Sequence, residues 1–288
     1  MLYSVELRLR VMGGDDPRQF TGYHLLSFFL RLIEGVNPAL AAKLHEDAGP
    51  RPFTISPLAP VESGQRRLAL AEGARACLRL TFLQEEVFAF LADAVWRLQP
   101  EASLPLGGAR VACEGLATTP AQSPRAAFTS FEELLEGAAE ERKLRLTFLS
   151  PTTFRSKGER NILFPEPALV MGSLLARWNA HAPPGLHLRA ANPSQVRLSG
   201  YRLATRMLDF GSYQELGFGG IAMYECGEEL AAEQVKALNA LADFAFYAGV
   251  GAKTTMGMGQ CRRIELAHPL SHRARGHPEE RGRPPGSD

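Results

Sequence analysis

The stretch Gly249-Val250-Gly251-Ala252-Lys253-Thr254-Thr255-Met256-Gly257-Met258-Gly259 sets two Gly-x-Gly pairs around one lysine and two threonines. Glycine tolerates positive φ and lets another chain or ligand approach the backbone closely. Near a lysine, that freedom suits a polyanion whose phosphates meet amide N–H groups and a positive charge together. Two nucleotide-binding folds are excluded. A Walker A loop needs Gly-Lys-Ser/Thr, whereas Lys253 follows Ala252, and a dinucleotide fingerprint needs a third glycine where Thr254 stands. Both of those loops also open a helix, but this one follows the helix-like run 230–247. A helix C-terminus repels phosphate rather than holding it. Two readings stay open: a loop that meets a polyanion, and a C-cap glycine followed by a flexible turn.

Outward from this loop, the apolar periods alternate between two and about 3.6. Residues 2–12 alternate as a half-buried strand does. Leu25, Phe28, Phe29, Leu32, Ile33 and Val36 form the stripe of a helix starting near Thr21. Asn37-Pro38 ends it and caps a short second helix that runs out near His45. Residues 53–58 read as extended, 76–83 as a strand, 87–98 as a helix and 109–116 as a strand. The same order then recurs. Ser130 with Glu133 makes a capping box, and strand 143–149, helix 168–179, strands 196–208 and 215–224, helix 230–247 and strand 260–267 follow. Helix 168–179 is read with Leu169, Gly172, Ser173 and Ala176 on one side, and helix 230–247 with Val235, Leu238, Leu241, Ala242 and Ala245 inward. Strand-helix-strand-strand-helix-strand, twice, predicts an α+β protein of two tandem ferredoxin-like (βαββαβ) domains, residues 1–125 and 126–267. The tail 268–288, rich in His, Arg, Pro and Gly, is expected to be disordered.

Composition narrows the class. Of 288 residues, 45% are hydrophobic and 22% charged, as in an ordinary globular protein with room for two cores. No apolar run reaches spanning length, since residues 25–33 are broken by Arg31. The opening residues lack the basic start and small-residue cleavage site of a secretory signal, which predicts a cytoplasmic protein. Cys77, Cys113, Cys226 and Cys261 are scattered with no Cys-x-x-Cys, so neither a zinc site nor a disulfide framework is indicated. The net charge is +1, but residues 167–208 contain five arginines and no acid, giving a local positive field.

The run from Asn37-Pro38 through Leu44-His45-Glu46 to Gly49-Pro50-Arg51-Pro52-Phe53-Thr54-Ile55-Ser56-Pro57-Leu58 resembles the N-terminal signature of the CRISPR-associated endoribonucleases that cut precursor CRISPR RNA. The 249–259 loop resembles the C-terminal glycine-rich loop of their repeat-associated RNA-binding superfamily, and residues 150–155 are similar to a further segment of it. The resemblance implies tandem ferredoxin-like domains and metal-independent cleavage by the ribose 2′-hydroxyl, leaving a 2′,3′-cyclic phosphate and a 5′-hydroxyl. Such chemistry needs a proton acceptor, a proton donor and cations for the phosphorane.

His45 matches the family's catalytic histidine, and its place at a helix end suits a general acid. Arg51 stands where relatives have lysine and, as a permanent cation, implies charge stabilisation rather than proton transfer. Leu30 occupies the helix position where some relatives carry a tyrosine, so Tyr23 and His24 are the candidates to position or deprotonate the 2′-hydroxyl. No cofactor and no metal site are implied.

The expected partner is CRISPR repeat RNA, with other CRISPR-associated proteins as possible company, no membrane, and a monomer or homodimer. Candidate RNA contacts are Lys253 with Gly249, Gly251, Gly257 and Gly259, then Arg155, Lys157 and Arg160, then Arg197, Arg202 and Arg206. In a regular strand Arg202 and Arg206 share a face and Arg197, five residues from Arg202, takes the other. The loop itself is expected either to hold RNA or to brace the interdomain cleft, with Lys253 as its phosphate contact. A non-catalytic RNA-holding subunit of an effector complex, and an unrelated protein with a small-anion loop, are the competing readings.

Overall fold

A computed structural model describes residues 1–14, 22–46, 49–60, 71–99, 101–155, 161–189, 191 and 193–264. Thr21, Lys157, Arg160, residues 265–267 of the last expected strand and the 268–288 tail lie outside the described residues.

The first domain is built on β1 (Leu2–Gly14). It is followed by helices α1 (Gly22–Glu34) and α2 (Pro38–Glu46), then β2 (Phe53–Ile55), β3 (Ala59–Pro60), β4 (Arg75–Phe82), α3 (Glu85–Arg97), β5 (Leu104–Leu106), β6 (Ala109–Ala117) and β7 (Ala127–Thr129). The antiparallel sheet runs β2-β4-β1-β6-β5, with β3 added on β4 and β7 on β1. Placing the first strand between the third and fourth long ones is the ferredoxin-like order. Leu7 faces Leu78 on one side and Leu116 on the other. Alternate residues Val5, Leu7 and Leu9 enter the core with Leu25, Phe28, Phe29, Leu32 and Ile33 of α1. Asn37 caps α2, its Oδ1 accepting from the Leu40 N–H at 3.0 Å. Asn37→Ala should lower unfolding stability by about 1 kcal/mol, read as a shift of the urea midpoint at unchanged slope.

The second domain repeats the order with α4 (Phe131–Glu136) as a prelude. It comprises β8 (Lys143–Thr152), the short pair β9 (Phe154–Arg155) and β10 (Asn161–Ile162), α5 (Pro167–His181), β11 (Val196–Asp209), β12 (Gln214–Cys226), α6 (Ala232–Ala248) and β13 (Cys261–Arg263). Its sheet order, β11-β12-β8-β13, is again ferredoxin-like and antiparallel. The Ser130–Glu133 capping box forms as expected.

The five inward residues expected of α6 are all buried. The face expected of α5 is not the packed one. Val170, Met171, Leu174 and Trp178 are buried, whereas Gly172 and Ala176 are exposed. The larger side chains bury more apolar area, and the Trp178 indole N–H finds the Leu186 carbonyl at 2.8 Å.

The outer face of the first sheet packs on α6 and on residues 123–125, where Ser4 Oγ donates to the Arg125 carbonyl at 2.5 Å and Glu6 pairs with Arg125 at 2.7 Å, and both β1 residues are buried. Arg79 lies at the centre of this interface, buried among groups from both domains. Its Nε donates to Ser4 Oγ at 2.9 Å, Nη1 to Gln260 Oε1 at 2.8 Å and Nη2 to the Phe246 carbonyl at 2.5 Å. Its guanidinium carbon sits 4.0 Å from the centre of the Phe246 ring. Burial lowers its pKa to about 9, so it remains a cation at neutral pH. Thr81 Oγ1 donates to the Tyr247 carbonyl at 2.5 Å and Gln260 Nε2 to Thr54 Oγ1 at 3.3 Å.

The glycine-rich loop completes the junction. A Cβ on Gly259 would stand 2.2 Å from the Val250 carbonyl oxygen and one on Gly251 2.4 Å from that of Thr153, both at positive φ, so only glycine fits. Gly257 N–H donates across the domains to the Ile55 carbonyl at 3.1 Å.

Candidate functional site

Helices α1 and α2 diverge around an open groove of about 550 Å³ whose walls include Tyr23, Ser27, Leu30, Arg31 and His45. His45 is in the last turn of α2 with its side chain exposed. The helix ends there because the chain turns into the loop that carries Arg51, and Arg51 Nη2 donates to the His45 carbonyl at 3.0 Å. Arg51 therefore caps the carbonyl end of α2 and fixes the backbone from which the imidazole projects. Tyr23 stands across the groove on α1, exposed. His24 is half-buried and does not line the groove, although it adjoins Tyr23 in the chain. Leu30, an apolar wall residue, leaves the groove without a hydroxyl at that point.

The second domain reaches this groove through the tip of the β11–β12 hairpin. Asp209 Oδ1 accepts from the Gly211 N–H at 2.7 Å and the Phe210 N–H donates to the Tyr213 carbonyl at 2.9 Å, which tightens the turn. The Phe210 and Tyr213 rings stack, with centroids 5.1 Å apart at 7°, and both meet the Tyr23 ring edge-on. The Tyr23 and Tyr213 hydroxyls lie 3.2 Å apart. That hydrogen bond, with burial, raises the Tyr23 pKa above the ordinary phenol value, so Tyr23 stays neutral around its groove.

Lys253 has left-handed backbone, φ 56°. Its ammonium pairs with Glu215, donates to Tyr213 Oη at 2.8 Å and lies 4.8 Å and 4.4 Å from the Phe210 and Tyr213 ring centres. Burial pushes the Glu215 carboxyl up, but hydrogen bonds from Lys253 and Asn161 outweigh it and hold its pKa below the ordinary value. The lysine expected to meet phosphate is thus engaged inside an aromatic and acidic cage. The four loop glycines likewise have committed amides. Gly249 donates to the Ala245 carbonyl, Gly251 to Ser173 Oγ, Gly257 to the Ile55 carbonyl and Gly259 to the Pro151 carbonyl. Of the two roles anticipated for this loop, bracing the interdomain junction is the one its geometry displays.

The arginines of β11 differ from the expectation in a useful way. A bulge between Leu198 and Gly200 inserts one residue into the pairing with β12. Leu198 and Leu203, five apart, consequently both pack on the domain core. Their preceding neighbours, Arg197 and Arg202, turn the other way together. Arg197, Arg202 and Arg206 face Glu225, Ile221 and Gly217 of β12, each four residues from the next, so all three share the outer face. A regular strand would have split them. Arg202 and Arg206 are exposed, while Arg197 pairs with Glu225 at 2.7 Å. Arg155 is exposed at the end of β9, and its charge acts on both Tyr23 and Glu215, which sets it beside the hairpin tip. His181 ends α5 and its Nε2 lies 2.7 Å from the Pro50 carbonyl of the first domain. Among the described residues no group of three or more His, Cys, Asp or Glu side chains gathers as a metal site would require.

Sequence reasoning missed Phe210, Tyr213 and Glu215. The available signal was the aromatic pair flanking Gly211-Ser212 between two strands, a tight turn with two rings to place.

The fold and site define a class: two tandem ferredoxin-like domains, with a histidine in a groove of the first and an arginine-faced hairpin of the second whose tip touches that groove. Residues 146–261 match the model of the CRISPR-associated endoribonuclease Cas6 family, and residues 1–136 match the model of the CRISPR Cas6 N-terminal domain. The chain belongs to the Cas6 family.

A Cas6 product complex is 31% identical, with a TM-score of 0.76 over 92% of this chain and 100% of that one. Thermus thermophilus Cas6 is 30% identical, with a TM-score of 0.66 over 92% of this chain and 98% of that one. The CRISPR-associated endoribonuclease Cas6 of Mycobacterium tuberculosis is 32% identical over 166 residues, 56% of this chain and 52% of that protein. The match thus spans about half the length of that curated relative.

Proposed function

We propose that this chain is an endoribonuclease that binds CRISPR repeat RNA and cleaves precursor CRISPR RNA without a metal ion. The 2′-hydroxyl loses its proton to a water of the open groove as its oxygen attacks the adjacent phosphorus, the bond to the 5′-oxygen breaks, and a 2′,3′-cyclic phosphate and a 5′-hydroxyl result. The observation that carries this reading is the contact of the hairpin tip with Tyr23, which joins an outward row of arginines to the groove holding His45. RNA held on that row has its scissile phosphate delivered to the only histidine that lines the groove among the described residues. His45 protonates the leaving 5′-oxygen. Arg51 fixes the α2 terminus and adds positive charge to the site. Tyr23, a neutral hydroxyl, donates a hydrogen bond rather than removing a proton. His24 supports α1 from outside the groove.

The product and substrate-mimic complexes of Cas6 relatives support a repeat RNA ligand, and the family membership leaves the purely structural subunit as the weaker reading. Lys157 and Arg160, outside the described residues, extend the basic segment that begins at Arg155. Other CRISPR-associated proteins are the proposed company of the processed RNA, and a cytoplasmic site of action follows from that role. No helix of the described residues is long and apolar enough to cross a membrane.

The direct test is a synthetic repeat RNA with EDTA present. Cleavage with a cyclic-phosphate terminus is expected; dependence on added metal would overturn the mechanism. The row of arginines gives a second test. Arg202→Ala and Arg206→Ala should each weaken RNA binding and flatten the slope of log K against log salt by about one unit. Arg197→Ala should flatten it less, because Glu225 already offsets that charge.

A further inference from the structure

We propose that Arg31 is the cation that meets the scissile phosphate, its guanidinium donating to the non-bridging oxygens as negative charge gathers on the phosphorane. The proposal rests on the endoribonuclease reading and adds to it a catalytic residue that the family resemblance does not supply. Its basis is what the groove holds. Arg31 is the only lysine or arginine among the described residues that line it, and the other charged or chargeable groups besides Tyr23 are His45, Glu34 and Glu46. Arg51 is not one of the lining residues, and its Nη2 is turned to the His45 carbonyl. Without Arg31 the groove would set two carboxylates against a single imidazole, an arrangement that repels a phosphodiester. A guanidinium counters that repulsion, and its planar fork matches two oxygens of one phosphate.

The sequence of α1 places the residue. Leu25, Phe28, Phe29, Leu32 and Ile33 take the core face. Tyr23, Leu26, Ser27, Leu30, Arg31 and Glu34 recur at three and four along the face beside it, and all of them line the groove. Opposite them α2 offers Pro38, Ala41 and Ala42, side chains too short to fill the space, before His45 in its last turn. An anion seated there meets donors from two helices, Arg31 in the last turn of α1 and His45 in the last turn of α2. Leu30 gives such an anion no hydrogen bond, so charge stabilisation falls to its neighbour. The Arg31 side chain is exposed and, among the described residues, makes no ion pair, although Glu34 stands three residues along the same face. Its donors are therefore open to a ligand. The competing role for a cation in the last turn of a helix is to offset the helix dipole. That role would act on stability and leave the cleavage rate unmoved.

The test sets single-turnover cleavage of repeat RNA beside equilibrium binding. Arg31→Ala should slow cleavage about 10²-fold, the scale of one lost donor to a developing oxyanion, with RNA affinity close to that of the wild type. Arg31→Lys should recover part of that rate, since it restores the charge without the fork. The urea midpoint of both variants should match the wild type, because the side chain is exposed. A lowered midpoint with an unchanged rate would give Arg31 to the helix dipole and overturn the proposal. Contact is read with sulfur. A phosphorothioate that replaces one non-bridging oxygen of the scissile phosphate weakens a hydrogen bond to that oxygen. In one diastereomer it should slow the wild type and slow Arg31→Ala much less, the coupling expected of two groups that touch. Equal sulfur effects in the two proteins, or a loss confined to affinity, would refute the contact. A sulfur effect abolished by Arg51→Ala and kept in Arg31→Ala would hand the role to Arg51. A wild type that leaves repeat RNA uncut brings down the endoribonuclease reading itself, whereas a cutting enzyme indifferent to Arg31 overturns this assignment alone.

Discussion

His45→Ala is expected to abolish measurable cleavage of repeat RNA, a loss of about 10²–10⁴-fold, while leaving RNA affinity close to that of the wild type. The magnitude follows from the leaving group. A 5′-alkoxide departs poorly unless it is protonated as the bond breaks, and the imidazole is the groove's side chain suited to that transfer near neutral pH. Arg31 and Arg51 cannot substitute, because a guanidinium does not release its proton in this range. Affinity should survive because the arginine row proposed to hold the RNA lies on the other domain. Folding should survive as well, since the His45 side chain is exposed and the groove loses no packed atom. A gel-based single-turnover assay beside a filter-binding titration separates the two quantities. Undiminished cutting by the variant would move the acid elsewhere and remove the central residue of the mechanism.

How much of this site was legible in the sequence depended on whether a residue's role is local. His45 sits seven residues after a Pro-initiated helix start at Pro38, and Asn37 signals that start by its own side chain. Both are fixed by neighbours in the chain, so spacing places them on the helix, while the role of His45 comes from the resemblance carried by residues 37–58. The twofold strand-helix order is likewise a sum of local periods, and it survives even where individual strands are shorter than expected, as at β2.

What spacing could not reveal was pairing. The bulge between Leu198 and Gly200 exists only relative to β12, and it brings Arg197 onto the face that Arg202 and Arg206 share. The face of α5 was misread because Gly172 and Ala176 fit the helical period as well as Met171 and Leu174 do; which set packs is decided by the sheet beneath. Tyr213 and Glu215 become a site only when the hairpin tip meets α1 and the glycine-rich loop, contacts 190 and 38 residues distant in the chain. The glycine loop was visible as unusual, yet its four amides had partners that no local pattern names.

Arg79→Ala should destabilise the protein by about 3–5 kcal/mol, the cost of stripping the partner from a buried polar network. Four acceptors lose this donor together: Ser4 Oγ and the Arg125 carbonyl, which share Nε, and Gln260 Oε1 and the Phe246 carbonyl in the second domain. None of them regains water, because the site is sealed between the sheet and α6. The truncated side chain also leaves a void against the Phe246 ring. Arg79→Lys should rescue little of the loss, since a single ammonium cannot aim donors along the three directions of the planar guanidinium. Arg79→Met separates packing from hydrogen bonding. It refills much of the volume but offers no donor, so it should fall between wild type and Arg79→Ala in urea unfolding. If Arg79→Met instead matched the wild type, the desolvation that lowers the arginine's pKa to about 9 would be cancelling its hydrogen bonds, and the junction would rest on apolar contact alone. The functional consequence runs through the same contacts. His45 and the arginine row belong to different domains, so a loosened junction should lower the cleavage rate more steeply with temperature than it lowers the affinity of RNA for the row. Cleavage and binding measured on Arg79→Ala from 15 to about 45 °C, a span that reaches the lower end of mesophile unfolding, would show that divergence.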